Sequence, residues 1–333
     1  MDSFKIYTQG DILDLVNQRE GETKLGEKVS TVSSLAQLGE SSAKFVLLGI
    51  PEDIGVRANH GIGGTKTMWK AALKSLLNIQ SNSFFPGEEI LVLGHFEIQE
   101  PTDQSVRGLR TKTAEIDALV GPVMEKIIAA GKIPLVIGGG HNNAAPLIAG
   151  TAAALNQPIN VVNIDAHADL RNVNEGRHSG NGFSAALQQQ NLNEYRVFGL
   201  HQNYVHQDFS SDVEANQQIK VAYFEELMMS EKSVPHSWTD FTADLPQPCG
   251  LEIDLDSIEG ILSSATSASG FALNDIRKIL LNNRFPFSYL HICEGAIELA
   301  DGRKDLTTGK TIAYLVSDFI KALRPHIYQQ PSS

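Results

Sequence analysis

The stretch that most limits what this chain can become is Ile-Asn-Val-Val-Asn-Ile-Asp-Ala-His-Ala-Asp, residues 159–169, where an apolar run ends in three metal-binding side chains at alternate positions. In an extended chain successive side chains point to opposite faces, so Asp165, His167 and Asp169 are expected to reach the same way. Two carboxylates and an imidazole on one side of a strand end suit a hard or borderline divalent cation such as manganese. A single Asp or His after a strand is ordinarily a polar loop residue; strict alternation of three separates this stretch from that bland reading.

The rest of the chain supplies a scaffold of matching character. Short apolar runs with the length and flanking turns of buried strands recur at 45–50, 90–94, 133–139, 159–165, 196–201, 221–224, 250–256 and 287–294. Between them lie stretches of helical spacing at 65–77, 111–130, 143–155, 183–190, 273–283 and 311–323. Pro122 is expected to kink or split the helix that holds it. Alternating strands and helices of this kind imply an α/β fold: one three-layer, doubly wound domain with a mainly parallel sheet of about eight strands, covered on both faces. Residues 1–43 are polar and weakly periodic, with one short helical pattern at 11–18, and read as an arm packed on the domain formed by 44–333.

Composition excludes several classes of function. With 42% hydrophobic residues among 333, the chain can bury a sizeable core. Its only cysteines are Cys249 and Cys293, with no Cys-x-x-Cys pair, which fits a reducing compartment and no disulfide framework. No apolar run approaches the roughly 20 residues that span a bilayer, and the first residues lack a secretory pattern, so a cytoplasmic protein is expected. Acidic residues outnumber basic ones 39 to 27, for a formal charge of −12. That balance repels phosphate and argues against nucleic acid or anionic membrane as partner.

In open parallel sheets ligands bind beyond the carboxyl ends of the strands, so the residues after each apolar run carry the chemistry. After 133–137 comes Gly138-Gly139-Gly140-His141-Asn142-Asn143, a tight strand-to-helix turn that delivers a histidine and lacks the phosphate-loop lysine. After 250–253 come Asp254 and Asp256, again alternate, with Glu252 of the same parity one step earlier. Burying carboxylates side by side is costly unless a cation neutralises them. His141, Asp165, His167, Asp169, Asp254 and Asp256 are too many ligands for one ion and a sensible number for two that share bridging carboxylates. The oxygen-rich set favours manganese over zinc.

These motifs make the chain resemble the arginase, or ureohydrolase, superfamily. The likeness rests on Gly-Gly-Gly-His at 138–141, Asp-Ala-His-Ala-Asp at 165–169, Asp-Leu-Asp at 254–256 and Gly-Ile-Pro-Glu-Asp at 49–53, in the family's order. It implies an arginase-like fold and two manganese ions per subunit, with His141 and Asp169 as terminal ligands of one ion and His167 and Asp256 of the other. Asp165 and Asp254 would bridge them. It further implies that Glu294 faces the substrate's amidine or guanidine group, and that the protein forms a homo-oligomer, a trimer or hexamer.

Three departures point to a branch of that family. Gly140 stands where the family usually has Asp, the run after Asp256 reads Ser-Ile-Glu259-Gly260, and the His-Gly pair of arginases and agmatinases reads Ser179-Gly180. Together with Asp169-Leu170-Arg171, the Ser-Gly pair is similar to the formimidoylglutamase branch, which hydrolyses N-formimidoyl-L-glutamate to L-glutamate and formamide in histidine degradation. Arg171 and Arg177 lie close after the ligand strand, and a guanidinium fork there would clamp a carboxylate-bearing substrate, whereas a cationic one would gain nothing. The expected chemistry is hydrolysis of a C–N bond in an amidine. His178 is the expected proton donor, with His201 as competitor, and Ser179, Asn181 and Asn143 join Arg171 and Arg177 as expected substrate contacts. The alternatives are a urea-releasing agmatinase, guanidinobutyrase or arginase, or an inactive metal-binding paralogue that regulates a partner.

Overall fold

In the computed structural model, which describes residues 2–209, 213 and 216–328, the apolar runs become strands of one sheet. They are β1 (Ser3–Ile6), β2 (Phe45–Gly49), β3 (Ile90–Glu97), β4 (Ile133–Ile137), β5 (Ile159–Ile164), β6 (Leu192–Leu200), β7 (Ile219–Tyr223), β8 (Cys249–Asp254) and β9 (Leu290–Cys293). Spatial order is β1-β3-β2-β4-β9-β8-β5-β6-β7. All neighbours are parallel except β1, which pairs antiparallel with β3 and comes from the polar first segment. The short β1 alternates exposed and half-buried residues, a pattern too brief to register as a strand in the sequence.

Central strands are buried on both faces, as near-continuous apolar runs require. Along β2, Phe45 and Leu47 enter one apolar cluster while Val46 and Leu48 enter the other; along β4, Leu135 and Ile137 oppose Val136 in the same way. Helices α1 (Gln9–Leu13), α2 (Ile54–Ala58), α3 (Met68–Leu77), α4 (Val106–Ala129), α5 (Ala144–Leu155) and α6 (Gly182–Gln188) appear in the first half. Four more follow: α7 (Phe224–Met229), α8 (Val234–Thr242), α9 (Leu273–Asn282) and α10 (Thr308–Tyr328). Helices α3, α9 and α10 cover one face of the sheet and α4, α5 and α6 the other, giving three layers. Helix α4 runs unbroken through Pro122, so the expected split does not occur. Helices α7 and α8 fall in a stretch too polar for clear periodicity. Among the described residues no helix is long and apolar enough to cross a membrane.

This order positions the chemistry. Chain order reverses around the neighbours β4-β9-β8-β5, and the segments leaving the carboxyl ends of these four adjacent strands begin with Gly138, Glu294, Leu255 and Asp165. A crevice at such a reversal is where open α/β sheets hold ligands.

Candidate metal centre

The two ligand-bearing turns are built alike. After β5 the carboxylate of Asp165 accepts from the backbone N–H of His167 at 2.7 Å, and after β8 that of Asp254 accepts from the N–H of Asp256 at 2.8 Å. Each is an aspartate closing a turn two residues on, which the Asp-x-His and Asp-x-Asp spacings encode locally. The expectation that an extended strand carries residues 165–169 is corrected by this turn: β5 ends at Ile164, and Asp169 sits in the left-handed region at φ 50°. The side chains converge through the loop rather than through strand alternation.

His141 enters from a turn after β4 and is fully buried. Its Nδ1 lies 3.2 Å from Asp165, 3.0 Å from Asp169 and 3.2 Å from Asp254. A second group lies alongside, with His167 Nδ1 3.2 Å from Asp256 and 3.7 Å from Asp165. Ligand atoms within each group, His141-Asp165-Asp169-Asp254 and Asp165-His167-Asp256, lie within 4.8 Å of one another. Asp165 is thus common to both groups, whereas Asp254 belongs to the first alone. His167 is held from its other side by the ring of Tyr204, stacked at 4.7 Å.

The electrostatics of this cluster call for positive charge. Burial and the neighbouring Asp169 and Asp256 push Asp165 up to about 6, and burial with Asp256 and Asp165 raises Asp254 well above the carboxylate range. Burial alone would lower His167, yet Asp256, Asp165 and Asp169 lift it to about 11. Asp256 Oδ1 and both ring nitrogens of His141 are buried without a hydrogen-bond partner. Buried carboxylates that crowd one another around unsatisfied nitrogens are a donor set that fits divalent cations.

Glu294 follows β9 at φ 62° and is pinned there by two hydrogen bonds. Its Oε1 accepts from the N–H of His141 at 2.8 Å, and its own N–H donates to Gly139 O at 3.1 Å. Burial, ahead of Asp256 and Asp169, pushes its carboxyl up to about 8. A left-handed non-glycine costs energy that neighbours must over-determine, and two of them, Asp169 and Glu294, face this one site.

A cavity of about 830 Å³ opens onto the cluster. His167, Asp169, Asp254, Asp256, Glu294, Arg171 and Ser179 line it, as do Asn59, His60, Tyr204, His206 and Ser264, which the sequence reading did not single out. Signals existed for Asn59 and His60, which lie shortly after the Gly-Ile-Pro-Glu-Asp motif. His60 takes φ 65°, a third left-handed non-glycine on the cavity wall.

Four residues expected to act on the substrate do not line the cavity. His178 is fully buried, and its Nδ1 accepts from the N–H of Gly180 at 3.2 Å. The three arginines Arg110, Arg171 and Arg177 surround it, and burial, then Arg110, lowers it to about 4. A general acid must come within hydrogen-bond reach of the atom it serves, and His178 is set behind the cavity lining, not on it. Arg177 is held by Asp117 at 2.7 Å and by the Asn142 carbonyl at 2.8 Å, so it staples helix α4 to the turn after β4. Asn181 accepts from Arg177 and from the His178 N–H at 3.1 Å. Asn143 donates to Glu52 at 2.8 Å and to Gly140 O at 3.0 Å. These groups shape the loops from inside. His201 is also off the cavity, its ring stacked between Tyr204 and Phe224.

Glu52 is the main structural residue that sequence reasoning overlooked. It is buried and accepts from the N–H groups of Ile54 (2.6 Å), Gly55 (3.1 Å) and Gly140 (3.1 Å) and from Asn142 (3.2 Å), besides Asn143. One carboxylate thereby ties the loop after β2 to the His141 turn. The glycine at 140 follows from the same packing, because a Cβ there would meet Asn142 Oδ1 at 2.7 Å and Val56 Cγ2 at 2.8 Å.

Comparison with known proteins agrees with this geometry. A family model described as the arginase family matches residues 43–281. Formimidoylglutamase of Aromatoleum aromaticum is 32% identical over 155 residues, 43% of this chain and 42% of that protein. The formimidoylglutamase of Geobacillus thermodenitrificans is 31% identical over 169 residues, 48% and 47% of the two chains. The chain therefore spans about half the length of the curated relatives it matches. Among solved structures, Trypanosoma cruzi formiminoglutamase with manganese superimposes with a TM-score of 0.72 at 19% identity, covering 93% of this chain and 100% of that one. A hypothetical agmatinase from Burkholderia thailandensis gives 0.71 at 14% identity, over 92% of each chain. At such identities the likeness establishes a shared fold.

Proposed function

The chain belongs to the arginase family, and from that premise we propose that it hydrolyses the amidine N-formimidoyl-L-glutamate to L-glutamate and formamide. The observation that carries this reading is Arg171. It lines the same cavity as Asp254, Asp256 and Glu294, so one cavity lining carries both a guanidinium-bearing residue and an acidic cluster. That is the polarity a substrate needs when one end is an amidine and the other carries carboxylates.

The donor set fits two manganese ions: His141, Asp165, Asp169 and Asp254 would hold one, and Asp165, His167 and Asp256 the other. When bound, they would supply Lewis acidity and lower the pKa of water at the site. The remaining roles belong to the chain. Glu294, anchored through Oε1, accepts N–H groups of the amidine and sets its plane. Arg171 binds carboxylate at the far end, with Ser179 and Asn59 on the wall beside it. Tyr204 fixes the His167 ring. Water adds to the sp2 carbon, the bond to the amino-acid nitrogen breaks, and that nitrogen leaves with a proton.

The test is to load the protein with manganese and assay formimidoylglutamate, agmatine and arginine in parallel. Formamide without urea is expected, and Arg171→Met should raise KM for formimidoylglutamate by roughly 10- to 100-fold, the value of a charge-assisted contact of about 1.5–3 kcal/mol. Urea from either guanidine, with formimidoylglutamate untouched, would overturn the reading.

A further inference from the structure

Glu252 sits on β8 two residues before Asp254, so the strand face that presents a carboxylate to the acid cluster presents a second one a step deeper. It is fully buried, and both oxygens are engaged. Oε1 accepts from the Tyr289 hydroxyl at 2.7 Å, and Oε2 lies 2.5 Å from His291 Nδ1. The same Oε2 faces His141 Nε2 at 3.6 Å, while Nδ1 of that ring faces Asp165, Asp169 and Asp254. His141 therefore lies between two acidic regions, one at each ring nitrogen. A proton on Nδ1 would bind the acid cluster and block a cation; a proton on Nε2 leaves the Nδ1 lone pair free.

We infer that Glu252, oriented by Tyr289 and His291, is a positioning residue that draws the His141 proton to Nε2 and so presents Nδ1 to a divalent cation. This rests on the proposed role of His141 as a ligand. A carboxylate behind the far nitrogen of a ligating histidine commonly fixes tautomer and ring orientation, and its loss weakens metal affinity by 10- to 100-fold. Glu252→Gln keeps the shape but offers an amide in place of one carboxylate oxygen. Tyr289→Phe removes only the hydroxyl that holds the other oxygen.

The experiment is a titration of metal-free protein with manganese, following the electron paramagnetic resonance signal of free ion, with circular dichroism to establish folding. Wild type is expected to bind two ions. Glu252→Gln should bind one of them 10- to 100-fold more weakly while the second is unchanged, and Tyr289→Phe should show a smaller loss at the same ion. A folded Glu252→Gln variant that titrates like wild type overturns the inference and leaves the metal reading intact. If Glu252→Gln does not fold, Tyr289→Phe decides: a weakened first ion supports the inference and unchanged binding overturns it. Wild type that binds no manganese overturns both.

Discussion

Acidification should reveal what His178 does. Its ring has no exposed surface, and Nδ1 accepts the Gly180 N–H, so the proton of the neutral ring sits on Nε2. Protonating Nδ1 would set N–H against N–H and place a charge among Arg110, Arg171 and Arg177. The folded ring accordingly titrates near 4 instead of 6.5, burial acting first and Arg110 next, with Glu175 opposing. For a base whose folded pKa is depressed, the unfolded chain takes the proton first. Stability is therefore undiminished above pH 6.5 and falls as pH drops toward 4. A difference of about 2.5 units corresponds to roughly 3 kcal/mol at most, at about 1.4 kcal/mol per unit.

The perturbation that isolates this contribution is His178→Asn, which can still accept the Gly180 N–H and cannot titrate. Unfolding by urea, with chelator present, is followed at pH 7.5, 6.5, 5.5 and 4.5. The stability gap between wild type and variant should narrow by about 2 to 3 kcal/mol across that range, since only wild type carries the titrating ring. A gap that is constant with pH would refute the reasoning. At pH 7.5, with manganese saturating, the variant should keep turnover within a few-fold of wild type, because the ring does not reach the cavity. A loss of a hundredfold or more at full metal content would restore His178 to proton transfer.

Other outcomes follow from the same geometry. Gly180→Ala would bring a Cβ to 2.9 Å from Asn59 Nδ2 and 3.0 Å from Arg171 Cδ; KM for formimidoylglutamate should rise several-fold in steady-state assays with kcat little changed. Glu294→Gln keeps an acceptor for the His141 N–H but replaces the other carboxyl oxygen, which faces the amidine, with an N–H donor, so kcat/KM should fall by roughly 100-fold or more with folding preserved by circular dichroism. Arg177→Met would leave half-buried Asp117 without its cation and unstaple the loop, and chemical denaturation should register a loss of about 1–3 kcal/mol. Removing metal with chelator should lower the melting temperature measured by calorimetry, because uncompensated carboxylates then repel one another, and manganese should restore it.

How far the sequence alone could be read depended on the range of the interaction involved. Strand and helix order was legible because apolar periodicity is local, and it placed the strands β2 to β9 to within a few residues at most ends. The ligand residues were legible because Asp-x-His and Asp-x-Asp carry the donors, but the turns that bring them together were not: alternation implies an extended strand, whereas the Asp165 and Asp254 carboxylates bend the chain by accepting backbone N–H groups. Arg171 was legible as a charge near them, and it does line the cavity. Strand β1 and helices α7 and α8 escaped because short or polar elements owe their existence to the surface they pack on.

Side-chain direction was another matter. Arg177, His178, Asn181 and Asn143 sit in the motif loops as suggestively as Arg171 and Ser179, yet the first four turn inward and satisfy buried groups. For Arg177 and Asn143 the deciding partners are distant, Asp117 on α4, the Asn142 carbonyl and Glu52 after β2, and the loop they hold then turns His178 and Asn181 inward through short-range hydrogen bonds. Glu252 and Glu52 show the converse, carboxylates that read as incidental until the sheet brings His291, Tyr289, His141 and Gly140 against them. The residue types able to hold a metal were thus a property of the sequence. Which nitrogen of His141 faces the cluster, and which arginine faces the cavity, were decided only by folding, since both depend on contacts between residues far apart in the chain, up to 153 positions around His141.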